Sequence, residues 1–158
     1  MKKLLTAFSI LTFFISCTSD SGLERIPEKI DYSAENEKEI TEYLAKNNLT
    51  AQKTNTGLHY IIKEAGTGKQ PTLQSNVTVT YKGTLTNGTV FDQTTTDAGV
   101  TFPLNKLILG WQEGLPLLKE GGSASLFIPA HLGYGSSKVQ NIPAGSVLIF
   151  EIKLVSVN

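Results

Sequence analysis

The chain has 158 residues, 40% of them hydrophobic, with 14 basic and 14 acidic residues and a formal net charge of zero. That length holds one ordinary domain plus something small, and that apolar content supports a real core, which excludes wholesale disorder. With no basic excess and no basic block, nucleic acid is not an expected partner.

The first sixteen residues read as an export signal rather than as part of a fold. Lys2 and Lys3 give a positive start, residues 4–15 form an uncharged and mostly apolar run, and the small Ser16 stands before Cys17. This is the signal-peptide pattern, and the run is shorter than the ~20 apolar residues a transmembrane helix needs. The small residue followed by Cys resembles the lipobox of bacterial lipoproteins, with Phe14 where Leu is more usual. The expectation is that Cys17 is lipidated, becomes the mature N-terminus and ties the chain to a membrane of the bacterial cell envelope, the outer membrane being the expected one. Cys17 is the only cysteine, so no intramolecular disulfide is possible. Residues 17–32 then read as a tether that opens with the small polar run Thr18-Ser19-Asp20-Ser21-Gly22.

Residues 33–55 are expected to hold one helix and a connector. Ser33 is placed to cap a helix over 34–46, with Glu35 and Glu37 in the first turn where the helix dipole favours them. Ile40, Tyr43 and Leu44 share one face at helical spacing, and Asn47-Asn48 is a plausible stop. One such helix is not stable alone, so its apolar stripe needs a surface. That surface is either the main domain or a protein partner.

From Thr56 the pattern changes to strands, and residues 56–158 read as the main domain. Leu58, Tyr60 and Ile62 alternate with His59, Ile61 and Lys63, and Val77–Tyr81 alternates with β-branched residues. Asn87-Gly88 is a strong hairpin signal joining 77–85 to 89–91. A short helix is expected from Gly110-Trp111 to about Lys119, with Pro116 in a first turn or at a kink. Segments 123–128 and 146–157 complete the strands. The fold class that follows is α+β: a curved antiparallel β-sheet wrapped around one short α-helix, with an extra N-terminal amphipathic helix.

Much chemistry is absent. His59 and His131 lie far apart without an acidic cluster, so neither reads as a metal ligand. Gly66-Thr67-Gly68-Lys69 lacks the length of a phosphate loop and its Ser/Thr after the Lys. Gly121-Gly122-Ser123-Ala124-Ser125 lacks a nucleophile elbow's second Gly and leads into a strand. No cofactor fingerprint is present, and no cofactor is expected.

The remaining motifs form an ordered set: Val79-Thr80-Tyr81-Lys82-Gly83, Gly88-Thr89-Val90-Phe91-Asp92, Val100-Thr101-Phe102-Pro103-Leu104, Leu107-Ile108-Leu109-Gly110-Trp111, residues 128–135 with Tyr134-Gly135, and residues 142–151 from Ile142-Pro143 to Phe150-Glu151. From about Thr56 onward the chain resembles the FKBP-type peptidyl-prolyl isomerases, the immunophilins bound by macrolides such as rapamycin. The resemblance implies a pocket in which Tyr81, Asp92, Ile108 and Tyr134 act on the substrate. Phe91, Phe102, Leu107, Trp111, Ile142 and Phe150 would hold the proline ring. It implies proline-containing polypeptides as substrates, macrolides as inhibitors, and neither cofactor nor metal. Asp92 reads as a buried-type carboxylate bonded to Tyr81. An aromatic pocket without a nucleophile also suits a reaction that breaks no stable covalent bond. A binding module with little turnover, or a structural part of an envelope or motility complex docked through helix 34–46, would use the same features.

Overall fold

A computed structural model describes residues 30–158. Helix α1 (Ser33–Lys46) is followed by strands β1 (Gln52–Lys53), β2 (His59–Glu64), β3 (Asn76–Leu85), β4 (Val90–Gln93) and β5 (Val100–Pro103). Helix α2 (Leu109–Gly114) and strands β6 (Ser123–Ile128) and β7 (Leu148–Val157) complete the set. All pairings are antiparallel, in the order β1-β2-β6-β7-β3-β4, with β5 also lying against β3. The long β3 and β7 pair over nine positions and form the spine. The export signal, Cys17 and most of the tether lie outside the described residues.

Period-two alternation decides which side chains point inward. Val77, Val79 and Leu85 on β3, Leu148, Phe150, Ile152 and Leu154 on β7, and Ala124, Leu126 and Ile128 on β6 are all buried in one cluster. Across from them lie Trp111 and Leu115, brought in by α2 and the turn that follows it. The helix sits unusually close to the sheet. A Cβ on Gly110 would lie 2.6 Å from Ile128 Cγ2, and one on Gly114 2.6 Å from Leu126 Cδ1. These glycines are four residues apart, so they share the helix face laid on β6.

The outer face of the sheet carries a buried apolar cluster where α1 covers it. Phe127, Val147 and Ile149 form a second buried cluster with Ile40 and Leu44, flanked by Tyr43 and Ile61. Farther along β7, outward-facing Glu151 and Lys153 are exposed. Burying Ile40 and Leu44 contributes roughly 1.5–3 kcal/mol each, enough to hold a single helix down. The apolar stripe is thus spent on the chain's own sheet.

Local details depart from expectation for identifiable reasons. Ser33 does not cap α1: its N–H and Oγ both donate to Asp31 Oδ1, at 2.9 and 2.5 Å, and Tyr32 takes the cap position without a side-chain bond. Helix α2 ends at Gly114 rather than near Lys119, because Pro116 has no N–H to continue the ladder and falls in a 3-10 turn, Leu115–Leu117. The Asn87-Gly88 hairpin, by contrast, joins the expected strands. Gly88 N–H donates to Leu85 O at 2.9 Å and only Gly88, at φ 88°, is left-handed, which is a turn ending in a glycine bulge. Strand β7 begins at Leu148 instead of Ser146, whose Oγ donates to Pro143 O in the preceding turn.

In an exposed helix, Gly→Ala would add up to about 1 kcal/mol of stability. At Gly110 the new methyl meets a fully buried Ile128, and overpacking costs about 1–3 kcal/mol. Gly110→Ala is therefore expected to lower the urea midpoint, and a raised midpoint would refute the close approach of α2 to β6.

Candidate active site

The concave face of the sheet leaves a cleft of about 310 Å³ beside α2. Tyr81, Asp92, Phe102, Lys106, Leu107, Ile108, Trp111, Tyr134 and Phe150 line it. Its floor is the indole of Trp111, which is 4% exposed. Three rings stand nearly perpendicular to it: Phe150 at 5.1 Å and 87°, Tyr81 at 5.2 Å and 82°, and Phe102 at 6.5 Å and 84°. Such edge-to-face pairs add about 0.5–1.5 kcal/mol each beyond burial, so the floor is stiff as well as apolar. The indole Nε1–H has no acceptor among the described residues.

A strand irregularity sets the far wall. On β3 and β4, Gly83 pairs with Asp92 and Thr84 with Val90, so Phe91 is the extra residue of a bulge. A bulge breaks the alternation and turns neighbouring side chains toward one face. Phe91 packs edge-on to Phe150 at 5.4 Å, while Asp92 Oδ2 accepts a 2.6 Å hydrogen bond from the Tyr81 hydroxyl. Gly83 makes room for both rings, since a Cβ there would meet Phe91 Cε2 at 2.6 Å and Phe150 Cε1 at 2.9 Å.

The near wall belongs to α2 and the turn before it. Ile108 is the residue before the helix, and its carbonyl accepts from the Trp111 and Gln112 N–H groups. Gln112 Nε2 also donates to Leu107 O at 2.7 Å and fixes that residue. The half-buried Ile108 makes no hydrogen bond through its own N–H among the described residues, which leaves this donor free beside the cleft. Tyr134, 38% exposed, comes from the segment between β6 and β7.

Eight of the ten side chains expected from sequence meet in this cleft: Tyr81, Asp92, Phe102, Leu107, Ile108, Trp111, Tyr134 and Phe150. Phe91 stands behind Phe150 as support. Ile142 is 5% exposed and belongs to the core at the base of the Tyr134 segment. Asp92 is not buried: it sits at an exposed rim, on the edge strand β4 beside the bulge at Phe91. Lys106 was not anticipated; it ends the 3-10 turn Leu104–Lys106, directly before Leu107, and its place next to that motif was the available signal.

This arrangement can be set beside known proteins. The FKBP-type peptidyl-prolyl cis-trans isomerase family matches residues 67–155, more than half of the chain. The chain belongs to this family. It is 43% identical over 135 residues to a probable FKBP-type isomerase FkpA of Neisseria meningitidis, covering 82% of this chain and 50% of that protein. It is 41% identical over 129 residues to FkpA of Escherichia coli, covering 79% and 47%. The chain thus spans about half the length of these curated relatives. Among solved structures, Escherichia coli FkpA superposes with a TM-score of 0.71 at 40% identity, covering 80% of this chain and 61% of that one. A peptidyl-prolyl isomerase from Pseudomonas syringae gives 0.69 at 29% identity and covers 82% and 97%. The FKBP fold, a curved antiparallel sheet with a short helix across it, is therefore the fold of this chain.

Both cleft hydroxyls resist ionisation in this FKBP domain. Burial raises the Tyr81 pKa well above its ordinary value near 10, helped by the hydrogen bond to Asp92 and then by its charge. Burial, then the charge of Asp92, raises that of Tyr134. A group whose folded pKa is raised stabilises the fold fully below its unfolded pKa and loses that contribution as pH rises toward the folded value. Stability should accordingly fall above pH about 10, where the unfolded tyrosines ionise first. Urea midpoints of wild type and Tyr81→Phe measured from pH 8 to 11 should show a shallower decline in the variant. Parallel declines would show that Tyr81 is not the protected group.

Proposed function

We propose that this chain is an active peptidyl-prolyl cis–trans isomerase that assists protein folding in the bacterial cell envelope, held to a membrane by lipid on Cys17. The observation that carries the reading is the convergence of Tyr81, Asp92, Phe102, Leu107, Ile108, Trp111, Tyr134 and Phe150 on one apolar cleft.

The chemistry is a rotation. An X-Pro amide resists twisting by about 18–20 kcal/mol because resonance is lost, yet its two isomers are close in energy. A catalyst must therefore favour the twisted amide, in which charge separation is smaller than in the planar one. An apolar site does this by withholding the water that stabilises the planar form, and no nucleophile is needed. In this proposal Trp111 receives the pyrrolidine ring between Phe102 and Phe150. The Ile108 N–H and the Tyr134 hydroxyl orient substrate carbonyls. Tyr81 holds Asp92 at the rim, where the carboxylate shapes the surroundings of the rotating carbonyl. Proline-containing polypeptides are the substrates, and macrolides of the rapamycin class compete for the same cleft.

The organisation proposed for the chain is a signal peptide over 1–16, a tether over 17–32, the N-terminal helix and connector over 33–55, and the isomerase domain over 56–158. Slow X-Pro isomerisation takes about 10–100 s uncatalysed and limits folding after export, which suits a tethered helper. The outer membrane is the proposed place, reached through acylation of Cys17. Replacing Cys17 by Ala in the full chain should move it from the detergent-extracted membrane fraction to the soluble envelope fraction. Unchanged partition would remove the lipid anchor from the proposal.

A protease-coupled assay with proline tetrapeptides tests the activity. Wild type should accelerate isomerisation well above the spontaneous rate and be blocked by rapamycin. Asp92→Ala and Phe150→Tyr should each lower kcat/KM by about tenfold, a loss of about 1.4 kcal/mol in transition-state stabilisation. A folded protein with no acceleration across several residues before proline would leave a binding module in place of an enzyme.

A further inference from the structure

The segment from Ala130 to Gly145 leaves β6, carries Tyr134 to the cleft and returns toward β7. Its middle turns on Gln140, held at φ 50° between mutual hydrogen bonds of Val139 and Ile142 at 3.0 and 2.8 Å. Within the segment, backbone bonds link Ala130 and Gly145 only through Gly135, at 2.7 and 2.9 Å. The direct tie between its ends comes from another element. Asn36 of α1 is 2% exposed. Its Oδ1 accepts from the Ala130 N–H at 2.8 Å, and its Nδ2 donates to Gly145 O at 2.9 Å.

Asn36 also breaks a pattern. Asn36, Ile40 and Leu44 are the buried residues of α1 and follow one another at intervals of four. An apolar residue at 36 would continue the stripe. A buried amide is tolerated there only because its bonds are made, and it would be costly without them. A helix whose whole task was to cover the sheet would not need it. The ring of Tyr32 adds a second contact at the same place, lying against Gly145 so closely that a Cβ there would meet it at 2.4 Å.

We propose that Asn36 is a positioning residue for the cleft. It fixes both ends of the 130–145 segment and so sets where the Tyr134 hydroxyl stands. This rests on the isomerase reading given above, in which Tyr134 orients a substrate carbonyl. Displacing such a group by about 1 Å can cost as much as a hundredfold in rate.

The test is a double-mutant cycle in the full-length chain, below the unfolding temperature of every variant. Asn36→Ala should lower kcat/KM by about fivefold or more, mainly through kcat. Leu44→Ala loosens α1 at its other end and should lose stability while keeping turnover within about twofold. In a Tyr134→Phe background, Asn36→Ala should add less than about twofold, because its effect passes through that hydroxyl. Unchanged turnover in folded Asn36→Ala, or effects that multiply, would overturn the assignment. If Asn36→Ala does not fold, Asn36→Asp is read in the same cycle, since it keeps the acceptor for Ala130 and loses the donor to Gly145. Hydrogen exchange of the wild type is a second reading. The Ala130 amide should exchange in the same opening as the α1 amides, and much faster exchange would overturn the proposal. A wild type that accelerates no prolyl peptide would instead sink the isomerase reading itself.

Discussion

The contact between α2 and β6 fixes the geometry of everything around it. Gly110 and Gly114 remove the side chains that would hold the helix away from Ile128 and Leu126. The gain is position rather than helix propensity, since each glycine weakens a helix by about 1 kcal/mol relative to Ala. Tertiary packing has to recover that loss, and the burial of Trp111 and Leu115 between them does so. Lowering the helix onto the sheet brings the indole to the depth at which Tyr81, Phe102 and Phe150 can stand around it. The cleft is the space left above a helix that has been allowed to sit low.

The same sheet is used on both faces, and the two uses are coupled. Residues of β6 and β7 alternate between the cleft side, with Leu126 and Phe150, and the α1 side, with Phe127 and Ile149. Register therefore matters doubly: a slip by one residue would exchange the two sets. A buried aromatic residue next to a buried aliphatic one on the same strand reads as a run rather than an alternation. That run is the signature of a sheet covered on both sides. Beyond the reach of α1 the alternation returns to polar residues at Glu151 and Lys153.

What was legible in the sequence and what was not divides along physical lines. Strand β3 and the pocket aromatics were legible because alternation and side-chain type are local properties. The bulge at Phe91 was not, because it is settled by what lies opposite in space, whereas the stop of α2 at Gly114 follows from Pro116, a signal the sequence carries. Asp92 read as buried from its place after an aromatic strand. It lies at a rim because the bulge turns it toward Tyr81, at the end of a short edge strand. The role of Asn36 was invisible for the same reason, since its partners lie 94 and 109 residues away. Lys106 is local to a recognised motif, yet only the fold of its turn shows that it borders the cleft.

The placement of charge follows from the kind of chemistry an apolar cleft can support. Charged groups Asp92 and Lys106 are both on exposed positions of the rim, while the floor and inner walls are aromatic or aliphatic. A full charge at the floor would have to be desolvated at a cost of several kcal/mol and would favour a planar, polar amide over a twisted one. Neutral donors avoid both effects. Tyr81 and Tyr134 stay protonated because burial and the neighbouring carboxylate oppose their ionisation. The hydroxyls are thus held as fixed dipoles rather than as acids, which suits the proposed rotation, in which no proton is transferred. Asp92 serves this arrangement from outside it. Its charge is solvated at the rim, yet it reaches inward through one hydrogen bond to hold the Tyr81 ring against Trp111.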